Sequence, residues 1–498
     1  MATDSAHQIK EEGVDWPRYR LLPSCRLLVT LMCLVGGTVA MLGRVQTSFA
    51  VLCMVRDVPD DPAASNATAS ATATPVQGEF EWSKQFQGLV LSAYFYGYVA
   101  ALVVGGWVAD RYPSHRVAIC SALSQAVLLA MIPEFTRLQP ISIVILRVMQ
   151  GMAASVYYPS FNVILRNWST AGEFSLLFSI AWSGGYLGSA AAFPASSVFC
   201  QSGWLGGWPA IFYVSAAALA AWALVACFVL TESPEHHRFV SEAERKCLTL
   251  QPHVQTSASA PAKRVSICTI MGSLQVWIIA LSYFVTSWFF AALNITLPIF
   301  MKEGFNFDIR ENGFVSALPS LCMGFMIIVG GKAHAYLHVN KGVSSTNSRK
   351  IISVIGLLVP AACMIAVISL PASQRYLSVV LISLAQGFSS IVISSGPVSA
   401  ASEIAPQYIG FIWGIASSFG NTTGFLAPLI AAAMTPNGTL QEWCWFFVIA
   451  IVQMVLLSVV IACLWKSEIQ PFAQQDDLKN RVKSLRHANT VVAFEEVA

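Results

Sequence analysis

Two arginines sit where arginine is expensive. Arg147 lies about two turns into the apolar stretch ISIVILRVMQGMAASVYYPSFNVILR (141–166), and Arg44 lies inside LGRVQTSFAVLCMV. A charge deep in a bilayer costs roughly 2.5–3.5 kcal/mol on insertion scales, so such a residue faces a protein interior or a watery cavity. Guanidinium is permanently charged and forks onto carboxylate or phosphate oxygens, so the chemistry on offer is anion binding. Helical spacing places Arg147, Gln150, Ala154 and Tyr158 along one stripe that holds a cation, an amide and a phenol but no carboxylate. The competing structural role for either arginine is to bond backbone carbonyls or to snorkel outward. No Asp or Glu is clearly buried in any apolar span, and the eight histidines fall in loops, tails or span ends. Proton-coupled carriers usually place a titratable group inside the membrane, so this absence bears on coupling.

The elements that must position these residues are membrane helices. The chain has 498 residues, 55% hydrophobic and only 11% charged, against about 25% charged in soluble domains. Its mean hydropathy is +0.61. The apolar runs are continuous and about 20 residues long, which excludes the alternating short strands of a barrel. Spans are expected at 26–54, 84–108, 117–133, 139–164, 173–197 and 207–230, then at 272–301, 312–338, 350–370, 376–400, 408–435 and 443–465. The predicted organisation is a tail at 1–25, a six-helix bundle at 26–230 with a solvated loop at 55–80, a central loop at 231–268, a second six-helix bundle at 269–465, and a tail at 466–498. Two sets of six spans suggest a duplicated transporter architecture. Arg44 and Arg147, on antiparallel spans, fall ~15 Å and ~11 Å from the same membrane face at 1.5 Å per residue, so one cavity could hold both.

Lys and Arg gather at the tails and central loop, which places both termini on the cytoplasmic side and the 55–80 loop outside. The sequons at Asn66 and Asn437 then face the compartment where glycosylation occurs, whereas the one at Asn167 does not. The run Gly105-Gly106-Trp107-Val108-Ala109-Asp110-Arg111, followed by Arg116, closes the second span. Its glycines allow close helix approach, and Asp110, Arg111 and Arg116 can bond a neighbouring helix end that must part when that face opens. The twelve cysteines form no C-x-x-C pair, and most lie in apolar segments and read as packing residues. No P-loop, catalytic triad or zinc site is visible, so an enzyme is the least supported reading.

The chain resembles the anion–cation symporter family of the major facilitator superfamily, which includes sialin, the vesicular glutamate transporters and the type I sodium–phosphate cotransporters. The matching residues span nearly all of 26–472. They include Gln87-Gly88, Tyr94-Phe95-Tyr96-Gly97-Tyr98, Gly105 to Arg111, Arg147-Val148-Met149-Gln150-Gly151 and Tyr158-Pro159. Trp208 to Tyr213, Met301-Lys302-Glu303, Glu311 to Phe314, Arg349-Lys350 and Glu442-Trp443 continue the series. The resemblance implies twelve helices in two pseudo-symmetric bundles, alternating access, and Arg44 and Arg147 as substrate arginines. Members of the sialin and glutamate-transporter kind carry acids in the fourth helix, where this chain has Gln150 or Ala154. Glutamate transporters also carry a seventh-helix arginine and a second-helix histidine, matched here by Thr286 and Leu91.

The expectation is an all-α polytopic membrane protein of the major facilitator fold that moves small organic or inorganic anions. Its substrate contacts are Arg44, Arg147, Gln150 and Tyr158. Transport is expected to depend on sodium or voltage, with no cofactor beyond a coupling ion, Na+ or H+. The partners expected are a small anion and the lipid bilayer, not nucleic acid, and the membrane is the plasma membrane or an endolysosomal or vesicular one. Two rivals are a proton-coupled lysosomal or vesicular exporter of organic anions and a transport-inactive sensor or scaffold.

Overall fold

The computed structural model describes residues 24–56, 78–169, 174–234, 237, 240–242, 244, 245, 248, 267–405 and 408–473. The first half holds α1 (Cys25–Met54), α2 (Lys84–Arg111), α3 (Ser114–Leu138), α4 (Ile141–Ala154), α5 (Tyr157–Asn167), α6 (Phe174–Ser202) and α7 (Trp208–Val229). The second holds α8 (Leu274–Phe305), α9 (Ile309–Ala335), α10 (Ser345–Ser369), α11 (Arg375–Ser395), α12 (Ile409–Met434) and α13 (Leu440–Leu464). Nine segments among the described residues, with 141–167 counted as one, are long and apolar enough to cross a bilayer. Helices α2, α6 and α12 pack among them and run 28, 29 and 26 residues, about 40 Å each at 1.5 Å per residue.

The second half repeats the packing of the first. Helix α1 lies along α6 as α8 lies along α12; α2 pairs with α4 as α9 with α11; α3 pairs with α7 as α10 with α13. The halves meet along a seam where α1 faces α8, α2 faces α12 and α6 faces α9.

Two expectations need correction. The fourth span is not one continuous helix but breaks at Ser155–Val156. Pro159 carries no N–H, so the Ser155 carbonyl loses its ordinary helical donor. The Ser155 amide splits between Gly151 and Met152, and its hydroxyl donates back to Met152 O at 2.8 Å. Cysteines 53 and 200 are not simple packing residues: a disulfide joins the end of α1 to the end of α6 across 147 positions. The pairing arises because α1 and α6 run side by side for their whole length.

The two ends of the seam differ. Call the end bearing Cys53 and Lys84 the loop end, and the end bearing Arg111 and Arg349 the linker end. Gly88 and Gly106 stand about five turns apart on one face of α2, as do Gly313 and Gly331 on α9. At the loop end the helices nearly touch: a methyl on Gly88 would lie 2.7 Å from the Ala432 Cβ, and one on Gly313 would lie 2.3 Å from the Ser197 Oγ. At the linker end a methyl on Gly106 or Gly331 would meet nothing within 4 Å. Polar links agree. Lys84 pairs with Glu303, and Gln201 Nε2 donates to Asp308 at 3.3 Å, both across the seam at the loop end. At the linker end, Arg26–Glu244 and His115–Glu232 tie the first half to the central linker, Arg349–Glu403 stays within the second half, and among the described residues no ion pair joins the two halves there. Among the described residues the seam is closed at the loop end and open around Gly106 and Gly331 at the linker end.

Candidate functional site

The site begins with two glycines. Where α2 crosses α4, a methyl on Gly97 would lie 1.9 Å from the Val148 carbonyl oxygen, and one on Gly151 would lie 1.9 Å from the Tyr94 carbonyl oxygen. Only glycine permits this backbone approach. The crossing sets the YFYGY segment of α2 against Arg147 of α4. The same motif is thus both a packing device and the wall of the site.

Arg147 is buried and heavily engaged. Its Nη1 donates to Gln150 Oε1 at 2.7 Å and reaches Gly43 O at 3.5 Å, and its Nη2 donates to Arg44 O at 3.0 Å. Its Cζ also stands 5.0 Å from the Tyr94 ring centroid. Its Nε is left buried without a hydrogen-bond partner. Gln150, fully buried, accepts from Arg147 and sends its own Nε2 toward Gly43 O at 3.5 Å. Sequence reasoning makes both residues direct substrate contacts. In the structure Arg147 clamps α4 to α1 and aims its remaining edge at the cavity, while Gln150 supplies the acceptor that the guanidinium needs in a helix lacking an acid. The backbone bonding weighed as the alternative is realised here, with the guanidinium reaching the carbonyls of Gly43 and Arg44.

Arg44 is different. It is half-buried, and no hydrogen bond or ion pair to a described residue holds its guanidinium. Three aromatic rings of α2 cradle it: Phe95 at 4.6 Å, Tyr94 at 5.3 Å and Tyr98 at 5.8 Å from Cζ. Such contacts are worth about 0.5–2 kcal/mol each and leave the charge uncompensated. Arg44 and Arg147 do line one cavity, as their depths along the spans suggested. Met41, Val45, Thr47, Ser48, Leu91 and Phe95 share its first-half wall, and Phe290, Asn294 and Ile295 of α8 supply the second. Thr47 Oγ1 is another buried polar atom with no partner. Asn294 Oδ1 accepts from Ser189 at 2.8 Å and Ser320 at 3.1 Å, which fixes its amide at the seam. The cavity measures about 20 Å³, room for about one water, so the seam must loosen to admit an organic anion. Among the described residues no Asp, Glu or His lines it.

Tyr158 lies beyond the helix break and stacks on Trp182 at 5.4 Å, so it does not line this cavity, although its phenol stays within electrostatic reach of Arg44. Of the expected gating residues, Gly105 packs on the break itself: a methyl there would lie 2.8 Å from Ser155 O. Gly106 stands open, Arg111 and Arg116 are exposed, and neither arginine pairs with a described residue. The side chain of Asp110 lies outside the described residues. So does Asn66. Asn437 is exposed between α12 and α13, where its Nδ2 donates to Glu442 at 2.7 Å. The aromatic cradle and Asn294 were not singled out from sequence. The Tyr94–Tyr98 spacing of four was the available signal for the cradle, and Asn294 left none, because it belongs to the other half.

A family model described as Major Facilitator Superfamily matches residues 63–342 and 279–494. The chain is 28% identical over 472 residues to sialin of Homo sapiens, covering 92% of this chain and 94% of that protein. It is 29% identical over 410 residues to vesicular glutamate transporter 1 of Bos taurus, covering 81% and 71% respectively. Among solved structures it resembles a bacterial homolog of the human lysosomal transporter Spinster, inward-facing and unoccupied, with a TM-score of 0.67 at 14% identity over 90% of this chain and 99% of that one. It also resembles a D-xylose–proton symporter, with a TM-score of 0.62 at 15% identity over 89% and 99%. At such identities the two structures speak for the fold alone.

Proposed function

The chain belongs to the Major Facilitator Superfamily, a family of transporters and not enzymes, and we propose that it is a secondary active carrier of small anions with Arg44 as the principal substrate contact. The observation that carries this reading is Arg44 itself: a cation without counter-charge among the described residues, held by aromatic faces at the seam between two repeated halves. Such a cavity attracts anions by its own field. Arg147 positions Arg44 by tying α4 to α1, so that the guanidinium travels with the first half. Asn294 belongs to the second half. An anion bridging the two favours their approach, and alternate closure at the two ends carries it across.

The cavity wall, free of Asp, Glu and His among the described residues, favours sodium or the membrane potential over protons as the driving force. An anion crossing the membrane gains about 2.3 kcal/mol per charge per 100 mV, so the potential alone is a sufficient source. The similarity to vesicular glutamate transporters supports an organic-anion carrier of a vesicular membrane, and a second reading of its coupling is that protons drive it. Both readings place the tails and linker in the cytoplasm. The deciding experiment is uptake of a panel of anions into proteoliposomes with sodium, proton and voltage gradients imposed separately. Uptake that follows a pH gradient after sodium removal at zero potential selects the second reading. Absence of flux for every anion would leave a sensor or scaffold.

A further inference from the structure

Arg44, Thr47 and Ser48 fall on one face of α1, and all three line the seam cavity. The two hydroxyls differ. Ser48 Oγ donates to Val45 O at 2.8 Å, whereas Thr47 Oγ1 is buried with no hydrogen-bond partner. A threonine inside a helix ordinarily sends its hydroxyl back to the carbonyl four residues earlier. Thr30 and Thr38 of the same helix do so, donating to Arg26 O at 2.8 Å and to Leu34 O at 2.9 Å. The corresponding acceptor for Thr47 is Gly43 O, and Arg147 Nη1 and Gln150 Nε2 both reach that oxygen at 3.5 Å. A carbonyl oxygen has only two lone pairs. The polar clamp between α4 and α1 therefore takes the acceptor that Thr47 would use, and the hydroxyl is left to the cavity.

A second donor stands beside it. Arg147 lines the same cavity, and its Nε–H is buried and unpartnered. Asn294, the one side-chain amide in the wall, already accepts at Oδ1 from Ser189 and Ser320. Among the described residues the wall thus offers a guest the Arg44 guanidinium, the Thr47 hydroxyl and the Arg147 Nε–H, and no carboxylate.

We propose that Thr47 is a specificity-determining substrate contact: its hydroxyl and the Arg147 Nε–H donate to oxygens of the anion that Arg44 holds. This seat of donors takes carboxylates and other oxyanions that carry no ammonium, and it rejects their α-amino counterparts. The inference rests on the anion-carrier reading and narrows its substrate class. An α-ammonium bound here would stand beside two guanidiniums, in a cavity with room for about one water and with no carboxylate among the described lining residues to offset the repulsion.

The test is uptake into proteoliposomes by wild type, Thr47→Val and Thr47→Ser, normalised to inserted protein, with melting temperatures measured in detergent. The anions are a panel of oxyanions that includes succinate with aspartate and glutarate with glutamate, pairs that differ by the α-amino group. For the anion that wild type moves best, Thr47→Val, which keeps the shape and removes the hydroxyl, should raise KM at least about tenfold, as expected for a lost hydrogen bond to a charged group. Thr47→Ser restores the hydroxyl and should return KM to within about threefold of wild type. Succinate and glutarate should outdo their α-amino partners as substrates or as competitors. A hydroxyl that only holds a water, or only packs, predicts a Thr47→Val KM within about threefold of wild type, or a loss of melting temperature and rate that Thr47→Ser shares. Either result overturns the contact and leaves the carrier intact, as does an α-amino member that matches or exceeds its parent. A wild type that moves no anion overturns both.

Discussion

Replacing Arg44 with glutamine tests the central claim most directly. Among the described residues the guanidinium has no carboxylate partner, so glutamine orphans no charge there, and the fold loses contacts with Phe95, Tyr94 and Tyr98 at 4.6, 5.3 and 5.8 Å. Those are worth about 0.5–2 kcal/mol each, and the protein should reach the membrane. The bound anion loses more. A hydrogen bond to a charged group contributes about 1.5–3 kcal/mol. The Coulomb attraction at ~4 Å and an effective dielectric of ~20 is about 4 kcal/mol before the cost of stripping water from the anion. A net loss of ~2–4 kcal/mol raises KM roughly 30- to 700-fold, at 1.4 kcal/mol per factor of ten. Arg44→Lys keeps the charge but not the fork, and should cost about tenfold. Initial uptake rates at graded anion concentration, normalised to the amount of protein in the liposome, give these values. If Arg44→Gln retained KM within about threefold of wild type for every transported anion, Arg44 would not touch substrate.

Three further outcomes follow from the geometry. Gly151→Ala puts a methyl 1.9 Å from the Tyr94 carbonyl oxygen and forces α2 from α4, so it should cost at least about 1–3 kcal/mol, lower the melting temperature in detergent and abolish transport together. Burial draws the Glu403 carboxyl upward, but hydrogen bonds from Arg349, Ser467 and Ser345 and the nearby guanidinium hold it down at about 2, against an ordinary 4.5. A depressed acid contributes stability in full above its unfolded value and loses it as pH falls toward its folded one; the wild-type melting temperature should therefore fall more steeply than that of Glu403→Gln between pH 4.5 and 2. Cys53→Ser or Cys200→Ser removes the staple between α1 and α6 and should cost about 2–4 kcal/mol, visible as a lower melting temperature that added reductant does not change further.

How much of this was legible beforehand depends on which forces act locally. Spans could be read because insertion depends on runs of apolar residues within one segment. Arg44 and Arg147 could be placed at one depth because helical rise is constant. The break in the fourth span was also within reach, since Pro159 removes a backbone donor wherever it occurs. The roles of the two arginines were not separable from sequence. Each is a lone cation in an apolar helix, and what divides them is the company each keeps across a helix contact.

By itself the chain determined that it is a membrane protein of two repeated halves, that it carries two deep cations without deep acids, and where those cations sit along their helices. The tertiary structure alone decided the rest. It showed that Arg147 gives two hydrogen bonds to the carbonyls of Gly43 and Arg44 and a third to Gln150, that α2 wraps Arg44 in aromatic faces, that Cys53 finds Cys200, and that Lys84 meets Glu303 across 219 positions. The physical reason is common to all four. Hydropathy and helical period act along the chain, whereas the partner of a polar group in a membrane bundle is set by which helices cross, at what closeness, and in which of the two arrangements of the seam. Glycines such as Gly97 and Gly151 fix that closeness, and their effect appears only once both helices are in place.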